Sequence, residues 1–170
     1  MNNANLNKKL LITLIILTSA VVFFIARFGL FSGTAPADLG VIKGHLKAPS
    51  KNENSVSSQA ELFYKSDSNI AYARIPPLNY KGTGKVALTK LKQLISTDFS
   101  EAKLVEESEF YLRYEFKTAL MNFVDDVEFL LNENENYIHF RSASRLGRKD
   151  MGKNRARMEA IRDKFAELNE

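Results

Sequence analysis

Residues 110–117 read FYLRYEFK, and their strict alternation decides the fold class. Phe110, Leu112, Tyr114 and Phe116 fall on one side and Tyr111, Arg113, Glu115 and Lys117 on the other, as successive side chains do along a half-buried strand. Downstream, residues 123–131 (FVDDVEFLL) and 137–142 (YIHFRS) read as two more strands, and the Asn/Glu run 132–136 between them has hairpin character. Upstream, residues 70–75 (IAYARI) read as a strand that stops before Pro76 and Pro77, since proline cannot donate to a ladder. Strands in succession with short connections imply an antiparallel sheet.

Helical periodicity brackets these strands. Residues 86–96 (VALTKLKQLIS) place Leu88, Leu91 and Ile95 on one stripe, flanked by Ala87 and Leu94, with Lys90, Lys92 and Gln93 outward. The preceding Gly82-Thr83-Gly84-Lys85 lacks the spacing of a phosphate-binding loop and reads as the turn that opens this helix. After a turn at Leu146-Gly147, a last helix is expected from about Gly152, with Met158, Ile161, Phe165 and Leu168 recurring at three- and four-residue steps. The expected class is α+β: an antiparallel sheet covered on one face by two amphipathic helices and preceded by one transmembrane helix.

That transmembrane helix is read from residues 10–26 (LLITLIILTSAVVFFIA), 17 residues without a charge, which continue past Arg27 to Phe31. Spanning a bilayer core of ~30 Å at ~1.5 Å per residue takes about 20 residues, so residues 10–31 suffice. The stretch exceeds the ~7–15 apolar residues of a signal peptide. Ala35-Pro36-Ala37 nevertheless resembles a cleavage site, which keeps a cleaved signal open. The expected organisation is a basic tail (1–9), a membrane anchor (10–31), a small-residue linker (32–38) and one domain (39–170). Lys8 and Lys9 before the apolar run resemble an export signal. They favour a single pass through the inner cell membrane with the domain outside the cytoplasm. Lys43 and Lys47 add too few charges to predict binding to anionic lipid.

The 170 residues contain no Cys, which excludes disulfides, thiolate metal sites and cysteine nucleophiles. The net charge of +4 conceals blocks. Residues 98–136 carry 11 acidic and 3 basic side chains, and residues 141–164 carry 9 basic and 3 acidic. The basic character is a remainder of two opposed blocks, and no nucleic-acid partner is expected.

The chemistry concentrates in residues 141–157 (RSASRLGRKDMGKNRAR), which leave a strand, turn and enter the last helix. Arg141, Arg145 and Arg155 offer guanidinium forks suited to carboxylate or phosphate, beside Ser142, Ser144, Asp150 and Asn154. The competing reading is structural: Asp150 or Asn154 caps the helix, and Arg145 or Arg155 ties the turn to the Pro/Asn/Ser loop 48–59. A serine hydrolase would need Ser57 or Ser58 near His45 or His139, but no nucleophile-elbow glycines surround either serine. Asp125 and Asp126 point to opposite faces of a strand and cannot both ligate one ion from regular geometry. Asp125 shares the register of Phe123, Val127 and Phe129, so it is expected to be buried with an arginine of the final turn as partner. His139, on the polar register of its strand, is expected in solvent. No metal and no cofactor are called for.

Three stretches carry a family resemblance: PSKNENSVSSQA (49–60), FVDDVEF (123–129) and RSASRLGRKDMGKNRARMEAIR (141–162). They resemble the signatures of the domain of unknown function 1499 family, over about residues 39–165. Members often place a Cys in the loop where this chain has Ser50–Ser55, so a cysteine-dependent role cannot apply here. The resemblance implies one compact domain in envelope or membrane-linked proteins, with the Ser/Asn loop and Arg/Asp/Asn turn as signature elements. The expected function is non-enzymatic. A membrane-tethered domain would bind an envelope protein, an anionic small molecule or a lipid through Ser57, Ser58, Asp125 and the polar residues of 141–155. The alternative is a hydrolase-type enzyme at the same surface.

Overall fold

A computed structural model of the protein describes residues 3–64 and 68–168. The first two residues of the expected basic tail and the last two of the expected domain lie outside the described residues. Helix α1 (Asn3–Arg27) is followed by strand β1 (Ser55–Ser57), a short helix α2 (Ala60–Phe63) and a 3₁₀ turn (Ser68–Ala73). Then come β2 (Leu78–Asn79), α3 (Gly84–Asp98), β3 (Ala102–Glu107), β4 (Tyr111–Lys117), β5 (Val124–Asn132), β6 (Tyr137–Ser144) and α4 (Lys153–Glu167). The pairings between these strands are all antiparallel, in the order β1-β6-β5-β4-β3, with β2 also on β6.

Helices α3 and α4 pack on one face of this sheet, as the periodicity predicts. Leu88, Leu91 and Ile95 of α3 and Met158, Ile161 and Phe165 of α4 join Leu112, Tyr114, Phe116, Val127, Phe129 and Phe140 in one apolar core. Leu168 lies beyond the end of α4 and is exposed. Phe110 precedes β4 and is also exposed, while its carbonyl accepts from the Leu131 N–H at 2.8 Å.

The second face is covered as well, by the chain that leaves α1. Leu46 packs on Tyr111 and Leu130, and the Gly40 N–H donates to Glu128 Oε1 at 2.8 Å. Gly33 crosses so close that a Cβ there would lie 2.9 Å from Cβ of Arg145, and its φ of +63° also suits glycine. Burial on both sides explains why the first eight residues of β5 are all buried, Asp125 and Asp126 alike, although only Asp125 was expected inside.

Residues 70–75 form a 3₁₀ turn and its exit, not the expected strand. Ile70 and Ala73 bury at a three-residue spacing, which stacks side chains in a 3₁₀ turn. Arg155 Nη2 donates to the carbonyls of Tyr72 (2.5 Å) and Arg74 (2.7 Å), a use of backbone acceptors that competes with a ladder. Conversely, the polar loop 48–59 contains β1, whose Ser55, Val56 and Ser57 pair with Ala143, Ser142 and Arg141. Helix α1 contains a segment, Asn5–Ile25, that is long and apolar enough to cross a membrane. It ends earlier than the expected residue 31 because Gly29, at φ +86°, turns the chain out of the helix.

Candidate functional site

Pairing of β1 with β6 brings the Ser/Asn loop against the arginine turn, about ninety residues later in the chain. Asn154, on the first turn of α4, is fully buried and holds the two together. Its Nδ2 donates to the Asn54 carbonyl (3.1 Å), Ser144 Oγ (2.9 Å) and Asp150 Oδ2 (2.7 Å), and its Oδ1 accepts from Ser142 Oγ (2.5 Å). Asn54 answers by donating to the Gly147 carbonyl at 2.6 Å. The tie between loop and turn is therefore made by asparagines; Arg155 holds the 3₁₀ segment and Arg145 turns to the sheet.

Asp150 serves the start of α4, accepting from the Gly152 and Asn154 N–H groups at 2.9 Å each. It also accepts from the Tyr72 hydroxyl at 2.5 Å. Burial opposes its charge, but these hydrogen bonds outweigh it and hold the carboxyl below the usual aspartate range. Burial, reinforced by Asp150, pushes the Tyr72 hydroxyl up to about 12.

Arg141, Arg145 and Arg157 are each engaged by a carboxylate. Arg145 grips Asp126 with two hydrogen bonds, Nε to Oδ2 (2.8 Å) and Nη2 to Oδ1 (2.7 Å), and reaches Glu115 at 2.5 Å. Its side chain is 7% exposed and that of Asp126 2%. The hydrogen bond from Arg145 holds the Glu115 carboxyl low, and Asp126 chiefly raises the arginine further. Arg141 Nη1 donates to Glu128 at 3.2 Å, and Glu128 also accepts from the Tyr111 hydroxyl at 2.9 Å. Asp125 is met by Arg157 at 2.6 Å, a residue of α4 and not of the turn. The acidic and basic blocks of the sequence thus meet side chain to side chain inside the fold. A buried guanidinium offset by a carboxylate in bidentate geometry stabilises its surroundings, but has fewer donors left for a ligand.

Ser57 and Ser58 part company. Ser57 is buried in β1, where its hydroxyl accepts from the Gln59 N–H at 3.1 Å. Ser58 opens onto a cleft of about 720 Å³. Its hydroxyl lies 3.2 Å from His139 Nδ1 and accepts from the Phe140 N–H at 2.9 Å. His45 enters from the other side, 3.4 Å from Gln59 Nε2, so both histidines of the chain meet in this cleft. His139 is half-buried and not in open solvent, and that burial lowers its pKa below the ordinary histidine value. The rest of the wall carries Glu61, Glu133 and Glu135, the amides of Asn132 and Asn134, and apolar Leu62, Phe110 and Leu130, with no Lys or Arg among the described residues.

Sequence reading singled out Ser58, His45 and His139 here, but not Gln59 or the glutamates of the β5–β6 turn. Only the antiparallel register, which sets Leu130 opposite His139, carries that turn to the cleft. Among the described residues no group of three or more His, Asp or Glu is placed to hold a metal ion.

No similar curated protein and no similar solved structure was found. Residues 45–165 match the family described as a protein of unknown function, DUF1499. The matched segment runs from His45 in the cleft, through β1, the buried ion pairs and the arginine turn, to Phe165 in the core. The chain belongs to the DUF1499 family.

Proposed function

We propose that this is a single-pass, membrane-anchored envelope protein whose domain binds a ligand or partner in the cleft beside Ser58 and His139. The observation that carries the reading is convergence. Ser58 and Gln59, His45 and His139 come from three separate segments and leave polar atoms around one cavity that is also partly apolar. Convergent polar groups set beside apolar side chains orient a small molecule in a concave site. The arginine turn supplies the scaffold, since Arg141 and Arg145 are paired with carboxylates and Arg155 with backbone carbonyls, whereas among the described residues the cleft carries Glu61, Glu133 and Glu135 with no Lys or Arg. A ligand with a cationic group and an apolar part fits that lining better than the anion expected from the sequence.

Thermal unfolding of the full chain in detergent tests the choice, with spermidine as the cationic probe and inorganic phosphate as the anionic one. Spermidine should raise the midpoint of the wild type and not of a Ser58→Ala/Glu135→Gln double variant. Stabilisation by phosphate alone would return the ligand to the arginine turn. A reporter fused after Glu170 checks the location, and activity confined to the cytoplasm would overturn the envelope assignment.

The 3.2 Å approach of Ser58 Oγ to His139 Nδ1 favours a second reading, a serine hydrolase. A histidine whose pKa is lowered by burial is neutral near pH 7 and able to take a proton. Against it, Ser58 Oγ already accepts from the Phe140 N–H, as structural hydroxyls do. A fluorophosphonate probe decides: labelling that is lost in Ser58→Ala would establish the enzyme.

A further inference from the structure

We propose that the turn between β4 and β5, residues 118–123, forms with Phe28 and Leu30 a second membrane contact that seats the domain on the bilayer in one orientation. The inference rests on reading α1 as a membrane span.

The apolar segment of α1 ends at Ile25 after 21 residues. At ~1.5 Å per residue it matches a hydrocarbon core of ~30 Å, so Ile25 stands at the edge of that core. Arg27, two residues on, then lies about 3 Å further along the axis, inside a headgroup layer roughly 5–7 Å deep. At that level the chain is fastened to the β4–β5 turn. Arg27 Nη1 donates to the Ala119 carbonyl (3.3 Å), Asn122 Nδ2 donates to the Arg27 carbonyl (3.0 Å), and Ser32 Oγ donates to the Asn122 carbonyl (3.2 Å). Phe31 stacks on Phe123 with ring centroids 5.2 Å apart. A turn held by these contacts to the end of a spanning helix sits at headgroup depth.

Its composition suits that position. Phe28 is 79% exposed, Leu30 64% and Leu120 64%, in a domain whose other large apolar side chains mostly pack inside. Phe28 also touches Phe24, so the apolar surface of α1 continues beyond its span as far as Phe28. Lys117 is exposed beside it, placed for lipid phosphates. The bilayer is the occupant because the anchor brings it there. The cleft beside His139 lies at the other end of β5, a nine-residue strand about 30 Å long, and not at the turn.

The absence of native Cys permits single-site labelling of the full chain. Ala119→Cys reports the turn, Leu17→Cys the middle of α1, and Asn134→Cys the opposite end of β5. Each carries an environment-sensitive fluorophore in phosphatidylcholine–phosphatidylglycerol vesicles with a lipid-borne quencher. The label at position 119 should be quenched severalfold more than the one at 134, and adding Leu120→Asp should reduce the difference. Equal quenching at 119 and 134, with 17 strongly quenched, would overturn the second contact and leave the anchor standing. No quenching at 17 would remove the anchor reading and the proposal with it. A label at 119 that is shielded from water yet untouched by the lipid quencher would mean that protein covers the turn, and would equally overturn it.

Discussion

At the end of the β5–β6 ladder nearer α1, Asp125 and Asp126 sit beside Arg157 and Arg145, and these carboxylates and guanidinium groups are buried against one another. At the other end, Glu133, Glu135 and His139 line a cavity and keep surface open to solvent. The same two strands, with similar polar residues, thus build a closed network and an open cleft. What differs is cover: Gly33 and α4 close over the first end, whereas at the second Gly44 and His45 form one wall of a cleft that stays open. Arginines next to aspartates in a sequence therefore do not mark a ligand site until it is known what lies on top of them.

The sharpest way to break this comparison is Arg145→Ala. Asp126 would remain buried without its bidentate partner, and the domain should lose about 3–5 kcal/mol of unfolding free energy in chemical denaturation. A loss below about 1 kcal/mol would mean that the closed end holds nothing together. Asn154→Leu comes next. It keeps the volume but takes one hydrogen-bond partner each from Ser142, Ser144, Asp150 and the Asn54 carbonyl, at a cost of about 1–3 kcal/mol by the same measurement.

At the open end the balance should invert. Ser58→Ala removes one hydroxyl from the Phe140 N–H and should cost only about 0.5–1.5 kcal/mol, yet abolish any spermidine-induced rise in melting midpoint. The smallest effect expected is in pH dependence. Burial lowers the His139 pKa, so the unfolded chain binds its proton first as pH falls below about 6.5. Stability should therefore decline from pH 6.5 down to the lowered folded value, and His139→Gln should flatten that slope. Glu115 and Asp150, both held low, lose their contribution only in the carboxylate range below it. An unchanged slope in His139→Gln would show that the histidine gains no proton on unfolding.

Much of the scaffold is legible in the residues alone. The alternation of β4, the stripes of α3 and α4 and the apolar run of α1 are local periodicities, and each became the expected element within a few residues. Residues 70–75 misled because a short apolar run reads alike as strand or turn, and carbonyls taken by Arg155 decided it. β1 went unread because Ser55-Val56-Ser57 has little strand character of its own and exists through its pairing with β6. For the candidate site, Ser58 and His139 were in view but their meeting was not. His45 was named only as a possible partner of a serine, and the 132–136 turn only as a hairpin; Gln59 carried no signal.

By itself, then, the sequence determined the class of fold, the presence of a span-length apolar helix and the opposed charge blocks, because these depend on side-chain period, length and composition. Only the tertiary structure decided which charges were closed off and which polar groups were left facing a cavity. That depends on strand register and on the segment laid across the second face, both set by contacts between residues far apart in the chain.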